Sequence, residues 1–178
     1  MLMNTVYRPH DEAGAGLLFL REEQLRLAQA MMFLAGRDMA AALEPILTEE
    51  RLGSAHYRVL QVLAFSPGIP VSRLQETLGV TKQSLGRTLG ELQDRGYLKS
   101  ETSLRDKRQR LLHLSKEGQA VEARLFAVVR QCLSAAYREA GGAAVEGFRR
   151  VMHGMLSESS RAMIADDAAG RRKRRNGP

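Results

Sequence analysis

The chain has 178 residues, a net charge of +7, 44% hydrophobic and 5% aromatic residues, and one cysteine. A chain this long buries roughly 70% of its unfolded surface and holds a core without disulfide or metal, and the lone Cys132 fits a reducing cytoplasm better than a secreted setting. No run approaches the roughly 18 apolar residues of a membrane span, so one soluble domain with an extension is expected, with no membrane partner.

The charge is unevenly spread. Arg171, Arg172, Lys173, Arg174 and Arg175 supply five of the seven net charges. Residues 1–50 hold four basic and eight acidic side chains, whereas Thr81 to Ser115 hold eight basic and four acidic ones. A basic surface of this kind suits an acidic partner.

Apolar residues recur on one side from Leu17 to Leu34, with Leu20, Leu27 and Leu34 seven apart, which predicts a long amphipathic helix. Gly36 is expected to loosen its end, and Met39 to Leu47 reads as a second short helix interrupted near Pro45. Ser54 is placed as the cap of a third helix carrying Tyr57, Leu60, Val62 and Leu63, ended by Ser66-Pro-Gly-Ile-Pro70. Ser72 with Gln75 is a capping-box pattern, so Ser72 to Leu78 predicts a two-turn helix stopped by Gly79. Thr81 then caps a helix to Arg95, with Leu85, Leu89 and Leu92 inward and Gly96 as its stop. The pair is a helix-turn-helix candidate. Tyr97 to Thr102 and Arg110 to Leu114 flank a polar, basic stretch and predict a hairpin. Ser115 caps a long helix with Val121, Leu125, Val128 and Cys132 on one stripe, Gly141-Gly142 breaks it, and Val145 to Met155 marks a last helix. Order is expected to fade beyond Asp167.

With Leu85 inward, Gln83, Gly86, Arg87, Gly90 and Asp94 face outward at about 100 degrees per residue, with Lys82 and Ser84 on the flanks. Such a face suits a major groove, where Arg pairs with guanine and Gln with adenine; any solvated helix also shows a polar face. Gly86 and Gly90 each cost about 1 kcal/mol in a helix interior, which points to a close approach by DNA or by another protein helix. The hairpin tip is more telling: Arg105, Lys107, Arg108 and nearby Arg110 crowd together with only Asp106 to relieve them. An Asp two residues before an Arg can orient the guanidinium for the narrow minor groove.

Val80-Thr-Lys-Gln-Ser-Leu-Gly-Arg-Thr-Leu-Gly-Glu-Leu-Gln-Asp-Arg-Gly-Tyr-Leu98, Arg105-Asp-Lys-Arg108 and Leu114-Ser-Lys-Glu-Gly118 together resemble the MarR family of bacterial winged-helix regulators, over about Gly16 to Met163. The resemblance implies a mainly α, α+β winged helix-turn-helix with a two-stranded wing. Its DNA-binding lobe runs from about Ser54 to Ser115, and helices at about 16–36 and 116–163 form a dimerisation region. It further implies a homodimer on duplex DNA, in many members released by a small aromatic or phenolic effector, with repression the commoner mode. Gly86 and Gly90 stand where longer polar residues are usual in the family.

DNA contacts are therefore assigned to Thr81, Lys82, Gln83, Ser84 and Arg87 on the recognition helix, and to Arg105, Asp106, Lys107, Arg108 and Arg110 on the wing. Ser72 and Arg73 are assigned to the DNA backbone. Met31, Met39, His56 and Tyr57 are assigned to an effector pocket, although a Met stripe at helical spacing equally serves as core or dimer interface. The tail at 168–178 is read as a disordered arm adding non-specific DNA binding. Cys132, on an apolar stripe, is expected to be buried and inert. His10, His56, His113 and His153 are scattered, so no metal site is read, and no catalytic, P-loop or dinucleotide motif occurs; neither an enzyme nor a cofactor is expected. The competing reading is a winged-helix interaction module whose basic wing meets an acidic protein.

Overall fold

The computed structural model describes residues 20–104 and 106–165. In chain order they form α1 (Glu22–Glu49), α2 (Ser54–Phe65), β1 (Ile69–Pro70), α3 (Val71–Leu78), α4 (Lys82–Asp94), β2 (Leu98–Thr102), β3 (Arg110–Leu114) and α5 (Lys116–Met155); residues 158–165 are helical again. The chain divides into units 1–42 and 43–178, with the boundary inside α1. Leu17, the predicted start of the first helix, and the tail at 168–178 lie outside the described residues.

α1 is one helix where two were expected. A glycine such as Gly36 costs about 1 kcal/mol in a helix interior, too little to end a long helix by itself. Pro45 forfeits the hydrogen bond to the carbonyl four residues back, about 3 kcal/mol. Leu43 and Leu47 on either side of it are only 2% and 4% exposed, and burying each is worth about 1.5–3 kcal/mol, enough to carry the helix past the proline. α1 closes with Arg51 N–H on the Thr48 carbonyl (3.0 Å) and Leu52 N–H on the Leu47 carbonyl (2.7 Å). This is a Schellman motif with Arg51 in the left-handed position, φ 52°. A Cβ there costs roughly 1 kcal/mol. Arg51→Gly is therefore expected to raise stability by about 0.5 kcal/mol once the greater unfolded-state entropy of glycine is subtracted; chemical denaturation measures it, and a decrease would contradict the strain.

Two predicted caps are displaced, by one residue at α2 and by two at α3. Gly53, not Ser54, caps α2, and the missing side chain is answered by His56, whose Nδ1 accepts the Gly53 N–H at 3.0 Å. Pro70, not Ser72, precedes α3. Ile69 and Pro70 pair with Leu112 and Leu111 of β3, so the backbone stays extended to Pro70 and the helix starts directly after it. The predicted two-stranded wing forms as the β2–β3 hairpin, and the pairing of β1 adds a third strand that was not expected, giving the order β1-β3-β2, antiparallel throughout. A two-residue strand is too short to show alternation.

The remaining stops and caps form as read. Gly79 ends α3 at φ 62°, and the Thr81 hydroxyl accepts the Ser84 N–H at 3.2 Å to start α4. α4 ends in a second Schellman motif: Gly96 N–H reaches the Gln93 carbonyl (2.8 Å) and Tyr97 N–H the Leu92 carbonyl (2.9 Å), with Gly96 at φ 75°. The Ser115 hydroxyl accepts the Gly118 N–H at 2.9 Å to start α5. Gly141 breaks that helix with φ 78° and ψ 167°.

Leu60 and Leu63 of α2, Leu74 of α3, Leu92 of α4, Leu112 of β3 and Leu125 of α5 are buried to 1% exposure or less, and form the core of the second unit. On α2 the third buried residue is Val59, while Tyr57 and Val62 are half-buried. Cys132 is exposed, contrary to expectation: the burial of the α5 stripe reaches Val121 and Leu125 and fades to half-buried at Val128.

Candidate nucleic-acid interface

The geometry of α4 follows from its leucines. Leu85, Leu89 and Leu92 are buried, so the opposite face must meet solvent or a ligand. Thr81, Lys82, Gln83, Ser84, Gly86 and Arg87 are all exposed there. A Cβ built on Gly86 or Gly90 meets nothing within 4 Å. Packing within the described chain therefore does not require these glycines, and they leave a low surface along the helix.

Beside this helix, the wing tip follows β2 with a turn built by Asp106. Its carboxylate accepts the backbone N–H of Arg108 at 3.0 Å, its carbonyl accepts the Gln109 N–H at 2.9 Å, and its own N–H is donated to the Ser103 hydroxyl at 3.3 Å. The expectation that Asp106 clamps a guanidinium is thus corrected: a short acceptor two residues ahead of an N–H closes an Asx turn on the backbone. Lys107 and Arg108 are exposed at the turn. Arg110, at the start of β3, donates from Nε to the Ser100 hydroxyl at 3.0 Å and is held against the wing. Arg105 lies outside the described residues. Ser72 is exposed on α3, and Arg73 donates to Glu76 (3.1 Å) and to the Ser159 carbonyl (3.2 Å).

Sequence reading overlooked Glu91. Its Oε1 accepts from Arg87 Nε at 2.9 Å and its Oε2 faces His56 Nε2 at 2.7 Å. The hydrogen bond from Arg87, then that from His56, hold the Glu91 carboxyl below its usual value. The i, i+4 spacing of Arg87 and Glu91 is a sequence signal for the first link; nothing local announces His56, which is 35 positions away. Glu50, at the end of α1, was also overlooked. Its carboxylate accepts the Tyr97 hydroxyl at 2.9 Å and pairs with Arg124, and its carbonyl accepts from Arg95 at 3.1 Å. Burial, then the bond to Glu50, pushes the Tyr97 hydroxyl above its ordinary value.

Of the residues assigned to an effector, Met31 is exposed and Met39 half-buried, both in the first unit. His56 and Tyr57, in the second, are half-buried; burial, then the charge of Glu122, raises the Tyr57 hydroxyl. A cavity of about 430 Å³ lies between the end of α2, β3 and α5, lined by Leu63, Pro67, His113, Gln119 and Glu122 among others. Burial pushes the Glu122 carboxyl up. Among the described residues no group of three or more His, Cys, Asp or Glu is placed to hold a metal, and no helix is long and apolar enough to cross a membrane.

Comparison with known proteins agrees with this geometry. The profile of the MarR family matches residues 52–109. Over 148 residues the chain is 43% identical to the HTH-type transcriptional regulator PetP of Rhodobacter capsulatus, covering 83% of this chain and 89% of that protein. A MarR family transcriptional regulator from Silicibacter pomeroyi superposes with a TM-score of 0.64 at 26% identity, over 72% of this chain and 87% of that one. NadR in complex with 4-hydroxyphenylacetate gives 0.63 at 17% identity, over 72% and 92%. A mutant MarR from E. coli complexed with operator DNA gives 0.57 at 20% identity, over 79% and 99%. The buried leucines, the capped recognition helix, the basic wing and the relationship to PetP lead to one conclusion: the chain belongs to the MarR family, and is a DNA-binding transcriptional regulator rather than an enzyme.

Proposed function

We propose that the chain acts as a homodimeric, sequence-specific repressor of a pseudo-palindromic operator, with the start of α4 in the major groove and the wing tip on the minor groove. The observation that carries this reading is that one unit presents both the exposed, polar first half of α4 and the exposed Lys107 and Arg108 of the wing. Thr81, Lys82, Gln83, Ser84 and Arg87 read bases or phosphates; Lys107, Arg108, Arg110 and the neighbouring Arg105 neutralise the backbone. Ser72 and Arg73 contact phosphate at the start of α3.

A second copy is the occupant proposed for the apolar faces outside this lobe. Leu25, Leu27, Met31 and Phe33 of α1 are 53–69% exposed, and Phe148, Val151 and Met155 of α5 are 48–63% exposed. Monomers rarely leave so many large apolar side chains in water. Two identical lobes then require half-sites about one helical turn apart, roughly 10 bp. Release by a small phenolic ligand is supported by the fold shared with NadR, which was solved with 4-hydroxyphenylacetate; within the second unit, the half-buried His56 and Tyr57 are the residues proposed to meet that ligand.

Salt titration of binding to random and selected duplexes tests the reading. Contact with several phosphates predicts a log-log slope of about −0.9 per phosphate, and Arg108→Ala should make it shallower by about 1 while weakening all sequences alike. A flat response to salt would favour an interaction module for an acidic protein instead.

A further inference from the structure

We infer that Glu91 is a positioning residue for DNA reading: held by His56, it fixes the ε edge of Arg87 so that the two terminal amino groups of the guanidinium are left to meet a guanine end-on. The inference rests on the assignment of Arg87 to the reading face and goes one residue deeper.

Exposure falls steadily along the relay, with side chains 84% exposed at Arg87, 41% at Glu91 and 12% at His56. An exposed Arg–Glu pair at i, i+4 contributes only about 0.3–0.5 kcal/mol and leaves both side chains free to swing. Here the second carboxylate oxygen is tied across to α2. His56 Nδ1 accepts the Gly53 N–H, so that nitrogen bears no proton, and Nε2–H must be the donor to Glu91 Oε2. The backbone at the start of α2 thereby sets the tautomer, the tautomer sets the carboxylate, and the carboxylate sets Arg87. Nε is committed to Glu91 Oε1, which leaves the η1 and η2 donors for the O6 and N7 acceptors of guanine.

Electrostatics alone gives the opposite expectation for the same residue. A carboxylate on the face of a helix turned toward phosphates repels them, so removing it should tighten binding to any duplex. The two accounts therefore differ in sign. The experiment measures, for the full chain, affinity by fluorescence anisotropy for a duplex selected by the wild-type protein from a randomised pool, for its single-base variants, and for a random duplex. Glu91→Ala is expected to weaken the selected duplex about tenfold and to flatten base preference at the position that Arg87→Ala flattens, while random duplex binds no more weakly. Glu91→Gln, which keeps an acceptor for Nε, should fall between wild type and Glu91→Ala. The Arg87→Ala/Glu91→Ala double variant should lose no more discrimination than Arg87→Ala, and His56→Phe should reduce discrimination only when Glu91 is present. Tighter binding of Glu91→Ala to both duplexes, with base preference intact, overturns the positioning role and leaves Arg87 as a reader. Unchanged discrimination in Arg87→Ala overturns the reading face itself and this inference with it.

Discussion

Replacing Gly118 by alanine is expected to cost about 3 kcal/mol and to lower the melting temperature by roughly 6–12 °C. An alanine Cβ at this position would lie 2.1 Å from the Tyr97 carbonyl oxygen, 3.0 Å from its carbonyl carbon and 3.2 Å from its Cα. These are backbone atoms, so no rotamer change relieves the clash. Moving Tyr97 is costly twice over, because its carbonyl accepts the Ser115 N–H (2.9 Å) and its N–H closes the end of α4 on Leu92 (2.9 Å). The same displacement would shift the start of α5 against the recognition helix. Gly142→Ala is the matched control: its Cβ meets nothing within 4 Å and its φ lies outside the left-handed range, so it should be neutral or stabilising by up to about 1 kcal/mol. Thermal unfolding followed by circular dichroism compares the two, and similar melting temperatures for both variants would remove the close approach as the reason for glycine at 118.

That contact explains in physical terms what the sequence presents only as a pattern. Leu114-Ser-x-x-Gly118 is a capped helix start whose closing glycine approaches the backbone beside Gly96, and Leu92-x-x-x-Gly-Tyr-Leu98 is a Schellman motif leading into a strand. Both were legible because each is local: a cap, a left-handed glycine and a leucine period lie within one or two turns. What escaped notice depended on distance. Ile69–Pro70 becomes a strand only because β3 is there to pair with it, and Pro45 sits in a continuous helix only because Leu43 and Leu47 are buried in the second unit. Ser54 and Ser72 illustrate the limit of local rules, since a good capping residue is passed over when the neighbouring backbone is already extended. At the site, the charge of the wing was readable but the role of Asp106 was not, because spacing alone does not say whether a carboxylate meets a side chain or a backbone N–H. Glu91 and Glu50 went unread for a related reason: their partners His56, Tyr97 and Arg124 come from other elements.

Arg124→Ala is expected to cost about 2 kcal/mol, far more than its exposure suggests. Arg124 bridges two carboxylates of unequal surroundings: the Glu49 side chain is 64% exposed, that of Glu50 only 17%. The exposed pair with Glu49 contributes at most about 0.2–1 kcal/mol. The pair with Glu50 matters more, because without Arg124 a largely buried carboxylate keeps, among the described residues, only the Tyr97 hydroxyl as a side-chain donor. Glu49→Ala should therefore be nearly silent, within about 0.5 kcal/mol, whereas Tyr97→Phe should cost about 1 kcal/mol through the lost hydrogen bond. A double-mutant cycle between Arg124→Ala and Glu50→Gln, read by chemical denaturation, isolates the coupling, expected at about 1–2 kcal/mol. Additive effects would mean that Arg124 acts through its alkyl stem and not its charge. Coupling of the expected size would make Glu50 the joint of the second unit: its carboxylate engages α5 and Tyr97, and its carbonyl takes Arg95 at the close of α4. The recognition helix is then held at its far end by a charged cluster, while at its start Leu85 is buried and Lys82, Gln83, Ser84 and Arg87 stay exposed on the face proposed to meet DNA.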